Sequence, residues 1–137
     1  MKVNVRLSNP ALAARDDLFA RAVRILCEAA VLSNRIYIRE HKPPALYQSG
    51  VVYQNEPLGP PDELLDIPAI LAKKWGDCMH LCCWRVAELR ERGEKARIAF
   101  VWRRYPASSK NPNLRLFHVI VRRGDGKLED PSRKLGM

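Results

Sequence analysis

The apolar positions of this chain follow a helical period in its first third. From Ala11 to about Ser33, Leu12, Phe19, Val23, Leu26, Cys27, Ala30 and Val31 recur at helical spacing and predict one amphipathic helix with a single buried stripe. Ser8-Asn9-Pro10 supplies its start, a capping side chain followed by proline at the first helical position. His41-Lys42-Pro43-Pro44 ends any continuation past Asn34, because each proline also restricts the residue before it. Ala45 to Asn55, with Tyr47, Val51, Val52 and Tyr53 around Gly50, reads as extended chain, and Pro57-Leu58-Gly59-Pro60-Pro61 as a surface loop. A short helix is expected from Asp66 to Lys74, with Asp66 as its cap and Pro68 in its first turn.

Gly76-Asp77 then opens a helix from Cys78 to about Arg92. Leu81, Cys82, Cys83, Trp84, Val86, Ala87 and Leu89 leave it only a narrow polar stripe at Arg85, Glu88 and Arg92. A helix apolar around most of its circumference is buried among other elements, so this one is expected at the centre of the domain. Glu88 and Arg92 have the order and spacing of a surface ion pair, and Gly93 suits the C-terminal cap.

Beyond Gly93 the period falls to two. Arg97 to Arg103 predicts a strand with Ile98, Phe100 and Trp102 on one face. Tyr105 to Asn113, with two prolines, is a loop, and Leu114 to Arg122 predicts a second strand. That strand places Leu116, His118 and Ile120 on one face and Phe117, Val119 and Val121 on the other. Gly124-Asp125-Gly126 is a tight-turn signal, so Lys127 to Glu129 should return as a third short strand. The fold class expected is α+β, a single domain over residues 1–137. Residues 1–44 form an N-terminal helical part, and 45–137 a central buried helix packed on a small antiparallel sheet.

Composition narrows the class. At 137 residues, 47% hydrophobic and 28% charged, the chain is a globular protein of one domain and not a disordered tail. No apolar run reaches the roughly 18–20 residues of a membrane span, and the N-terminus lacks the apolar stretch of a secretory signal. A cytoplasmic protein with no membrane contact is expected. The cysteines at 27, 78, 82 and 83 do not form a disulfide framework and are expected as reduced thiols. The net charge of +9 is uneven, with 10 Lys/Arg against 9 Asp/Glu in residues 1–80 and 14 against 6 in residues 81–137. A solvated basic face accounts for that surplus; an acidic partner surface or another polyanion is the functional alternative.

Candidate chemistry centres on Cys78. In the first turn of a helix, free backbone N–H groups and the positive end of the dipole favour a thiolate, the reactive species. Asp77 opposes this by its charge, and Gly76 permits close approach of backbone or substrate. A thiol nucleophile needs an imidazole to share its proton and an acceptor to orient that imidazole. His118 lies mid-strand downstream, and the hairpin returns Asp130 beside it. Each alone has an ordinary structural reading: a buried thiol, a core histidine, a turn-initiating aspartate. Their order is what points to a site.

Trp75-Gly76-Asp77-Cys78, Phe117-His118-Val119 and Asp130-Pro131-Ser132 resemble the three signatures of the transglutaminase-like, papain-related superfamily. In that family a Cys opens a buried helix, a His lies on the next strands, and an Asp commonly followed by Pro completes the triad. The resemblance covers roughly residues 45–137. Tyr47 to Tyr53, with Leu65-Asp66-Ile67-Pro68, is similar to small members encoded by tailed bacteriophages or prophages. It implies a catalytic Cys78, His118 and Asp130, with no cofactor and no metal. The activity implied is that of a peptidase or amidase acting on a protein or peptide substrate, with phage assembly or maturation, in the host cytoplasm or the virion, as its implied setting. Transglutaminase cross-linking of Gln to Lys is an alternative, as is a non-catalytic virion module docking to acidic or other phage structural proteins. Nucleic-acid binding stands third, for want of a motif.

The chain also departs from the family. Met79 and His80 follow the Cys where many bacterial relatives have acidic or small residues. No residue matches the oxyanion donor unambiguously: Gln54 is the first choice, with Tyr53, Trp75 and Gln48 open. Zinc on Cys78, His80, Cys82 and Cys83 is disfavoured, because the spacing lacks paired two-Cys knuckles. Cys82 and Cys83 are expected as core residues, Trp84 and Trp102 as packing, Trp75 as a wall of the cleft, and His80 as half-exposed at its mouth. Arg103, Arg104, Lys110, Arg115, Arg122 and Arg123 form the basic surface near His118.

Overall fold

A computed structural model describes residues 3–57, 60–104 and 115–137, without the side chains of Ala13, Arg103, Arg104 and Arg115. The expected loop positions 58–59 and 105–113, Lys110 among them, and the expected strand start at Leu114 lie outside the described residues. The chain is α+β. Its helices are α1 (Pro10–Ala14), α2 (Asp16–His41), α3 (Ile67–Lys73), α4 (Cys78–Glu91) and α5 (Pro131–Lys134). Its strands are β1 (Val52–Tyr53), β2 (Trp75–Gly76), β3 (Arg97–Arg104), β4 (Arg115–Arg122) and β5 (Leu128–Glu129), with a 3₁₀ turn at Leu46–Gln48. Among the described residues no helix is long and apolar enough to cross a membrane.

The N-terminal helix starts as expected, Asn9 accepting the Ala11 N–H at 3.0 Å. It breaks at Arg15, whose backbone is extended, and restarts with Asp16 and Asp17 at the positive end of α2. No proline or glycine announces that break. α2 then runs past the expected Ser33 to His41, where Lys42 takes a left-handed conformation (φ 45°) ahead of Pro43. Asp66 starts α3 but does not cap it with its side chain: Asn34 accepts the Ile67 N–H at 2.8 Å, and Asp66 accepts from Ser33.

α4 is buried without interruption from His80 to Leu89 and separates two cores. On one side Cys82, Cys83 and Val86 meet Cys27 and Val31 of α2 and Ile98, Val119 and Val121 of the sheet. On the other, Leu81 and Trp84 meet Leu46, Val51, Ile67 and Ile70. β3, β4 and β5 form an antiparallel sheet in that order, and Gly126 (φ 87°) supplies the left-handed residue of the β4–β5 turn. β1 and β2 form a separate parallel pair, Val52 opposite Trp75 and Tyr53 opposite Gly76.

Two of the three residues of the expected polar stripe of α4, Arg85 and Glu88, are buried, and Arg92 is exposed. Glu88 is buried and pairs with Arg85 at 3.0 Å, not with Arg92, while its other oxygen accepts the Leu46 N–H at 2.6 Å. Arg85 reaches on to Glu129 of β5 at 2.6 Å, and Glu129 also binds Arg123 at 2.7 Å and the Tyr47 hydroxyl at 2.5 Å. Burial opposes ionisation of Glu129, but the Arg85, Tyr47 and Arg123 hydrogen bonds prevail and hold its pKa at about 2. Part of the C-terminal basic surplus therefore serves internal ion pairs.

Candidate active site

The local sequence makes a firm helix start at α4. Asp77 accepts the His80 N–H at 3.0 Å, and the His80 ring Nδ1 accepts the Asp77 N–H at 3.2 Å, a reciprocal capping box. Nδ1 is therefore the unprotonated nitrogen, and Nε2 donates to the Glu63 carbonyl at 2.5 Å. His80 is fully buried in this role, against the expectation of a half-exposed residue at the cleft mouth. Gly76 also has a structural reason: a Cβ there would sit 3.1 Å from the Cβ of His80 and 3.2 Å from Leu81.

Cys78 follows the cap at the first position of α4 and is half-buried. β5 pairs with β4 only at Val121 and Arg122, so the β4 edge around Val119 is taken by the first turns of α4. There the Cys82 thiol donates to the Val119 carbonyl at 3.3 Å, and the Val119 backbone acts on the Cys78 thiol. Burial raises the Cys78 pKa to about 11, and the charge of Asp77 adds to that effect. The backbone groups of Val119, Met79 and Cys78 itself pull the other way, as a helix N-terminus should, but desolvation is larger. Cys78 thus rests as a thiol.

His118 precedes Val119 on β4. Its Nε2 lies 2.9 Å from Oδ2 of Asp130, which follows β5 directly. A carboxylate only accepts, so Nε2 carries the proton, and among the described residues Nδ1 has no hydrogen bond. Asp130 is itself fixed, because its other oxygen caps α5 through the Arg133 N–H at 3.3 Å. Among the described residues no hydrogen bond joins the imidazole to the Cys78 sulfur.

Tyr53 reaches the same place from β1. Its N–H donates to the Leu135 carbonyl at 2.9 Å, tying β1 to the end of α5, and its hydroxyl donates to Asn55 at 2.5 Å. Burial raises the Tyr53 phenol pKa, and the acidic groups of Cys78, Asp77 and Asp130 act in the same direction. Gln54 is exposed; its backbone N–H donates to the Gly76 carbonyl at 3.1 Å. Trp75 is half-buried, with the Lys73 ammonium 5.1 Å from its ring centre.

Cys82 and Cys83 are buried core thiols, and all four cysteines are free. Glu56, Asp77 and His80 each offer one ligand atom within 4.8 Å of the others, a grouping with no signal in the sequence. Both nitrogens of His80 already have partners there, so the cluster reads as part of the helix cap. No protein-family model, curated protein or solved structure matches this chain.

Proposed function

We propose that this chain is a cysteine-nucleophile acyl-transfer enzyme on a transglutaminase-like, papain-related core. Cys78 is its nucleophile, His118 its base and Asp130 the group that orients the base. The observation that carries the reading is the 2.9 Å bond between His118 Nε2 and Asp130, made next to Val119, whose carbonyl accepts from the thiol of Cys82, one helical turn on from Cys78.

Because Cys78 starts as a thiol, its proton passes to Nδ1 of His118 as the sulfur attacks a carboxamide or peptide carbonyl. The hydrogen bond to Nδ1 forms with substrate in place. The carbonyl π pair moves to oxygen, where the Cys78 N–H is one donor and the Tyr53 hydroxyl or the Gln54 amide the second. Collapse expels an amine, which takes the proton from His118 and leaves a thioester on Cys78. Hydrolysis of that thioester makes the protein a peptidase or amidase, the reading we favour; attack by a lysine amine makes it a transglutaminase. Maturation of a phage particle would fit the first outcome.

A second reading has its own observation: a Cys78 thiol with a pKa of about 11 and no hydrogen bond to His118 suits a non-catalytic module on the same fold. Alkylation of Cys78 by iodoacetamide at neutral pH, followed by mass spectrometry in wild type and His118→Ala, separates the two. The enzyme reading expects the mutant to react at least about tenfold more slowly. Equal rates, rising in both proteins only in the alkaline range, would overturn it. A glutamine-containing peptide, offered with and without a primary amine, then tells hydrolysis from transamidation.

A further inference from the structure

α2 carries a second apolar stripe in addition to the one that faces the core. Leu18, Ala22, Ile25, Ala29, Leu32 and Ile36 follow one another at alternating spacings of 4 and 3. At 100° per residue they lie opposite Cys27, Ala30, Val31 and Asn34, through which α2 is buried. Ile25 is 70% exposed, Leu32 60% and Ile36 43%, while Leu18 and Ala22 are half-buried. Single exposed apolar residues are ordinary; three large ones in one heptad register on one helix are an uncovered seam.

We propose that this seam is the contact face of a weak antiparallel dimer, α2 of one copy lying against α2 of a second. The pattern is self-complementary about residue 27. Antiparallel alignment sets Ile25 of one copy opposite Ala29 of the other, Ala22 opposite Leu32, and Leu18 opposite Ile36. Large thus meets small in the four inner layers, and a two-fold axis maps the seam onto itself. A parallel, in-register pair would stack Ala22 on Ala22 and Ala29 on Ala29, leaving voids beside the larger layers. Two charged residues beside the seam are already paired within each copy, Glu28 with Arg90 at 2.6 Å and Arg35 with Glu91 at 2.6 Å.

Area sets the strength. From Leu18 to Ile36 the seam is about 27 Å long and one helix diameter, about 10 Å, wide. Two such strips total roughly half of the ~1,000 Å² that a stable interface needs, which commits the contact to a weak, concentration-dependent association.

Sedimentation equilibrium of the full chain from about 10 µM to about 1 mM tests this. Wild type should climb from monomer toward dimer mass, and Ile25→Glu and Leu32→Glu should each weaken association at least about tenfold, because the contact would bury an unpaired charge. Both positions are exposed, so thermal unfolding should be unchanged. Orientation is read by oxidising a mixture of Ile25→Cys and Ala29→Cys chains in a Cys78→Ser background, whose remaining native thiols are buried. The antiparallel register predicts the mixed 25–29 disulfide. A wild type that stays monomeric throughout, even one that binds another protein through the seam, overturns the proposal. So does a dimer indifferent to both glutamates, or a product dominated by the 25–25 disulfide.

Discussion

Cys78 sits where two opposing effects can be compared directly. Its position at a helix start supplies N–H groups that favour the thiolate, and its burial disfavours the same species by more, leaving the pKa at about 11 against an ordinary 9.0. The consequence for stability follows from linkage. Between about pH 9 and 11 the unfolded thiol ionises while the folded one does not, so stability falls as pH rises through that window. The contribution is fully present below pH 9 and is about 2–3 kcal/mol in total. Urea unfolding of wild type and Cys78→Ser at pH 8, 9.5 and 11 should show a shallower alkaline decline in the variant; identical slopes would mean that Cys78 is not desolvated as described. The helix start at Cys78, the strand position of His118 and the return of Asp130 beside it were legible in the sequence, because helix starts, strand alternation and turn signals are local. The duty of His80 was not legible. A histidine three residues after Asp77 is an unusual capping-box partner, and its burial depends on Glu63 arriving from a distant segment.

At the scale of elements, α4 determines most of the packing, and its ion pairs are its least expected feature. Arg85, Glu88 and Glu129 are buried together, linking α4 to β5, while the Leu46 N–H joins the 3₁₀ turn to Glu88. Removing one partner from such a group strands the others in a poorly solvated place. Arg85→Met should therefore cost about 3–5 kcal/mol in denaturant unfolding, well beyond a surface substitution. Adding Glu129→Gln to that variant should recover part of the loss, because one stranded charge is then gone. A cost under about 1 kcal/mol would place the network in the class of screened surface pairs. The α4 sequence suggested a polar stripe at Arg85, Glu88 and Arg92. Periodicity locates such a stripe on the helix but does not say whether water or a strand will face it.

Across the whole molecule, the titrating groups bound a range of pH in which the fold is most stable. Glu129 has its pKa lowered to about 2 from 4.5, so it favours the fold above pH 4.5 and loses that effect as pH falls toward 2. The desolvated Cys78 acts at the other end, between pH 9 and 11. Stability should be flattest from about pH 5 to 9 and should fall on both sides. Glu129→Gln should be less stable than wild type at pH 7 and should lose less between pH 4.5 and 2. An acid transition in Glu129→Gln as steep as the wild-type one would assign acid unfolding to other carboxylates.

The sequence by itself determined the α+β class, the buried helix opened by Asp77, the two long strands and their hairpin return, and the order of Cys78, His118 and Asp130. All of these rest on contacts close in sequence: period, caps and turn residues. Only the tertiary structure decided that desolvation outweighs the helix dipole at Cys78, that Tyr53 from a parallel strand pair joins the Cys78 neighbourhood, that Arg85 and Glu88 turn inward, and that one face of α2 is left uncovered. Burial and long-range pairing depend on which segments meet, and a local pattern of hydrophobic and polar residues does not carry that information.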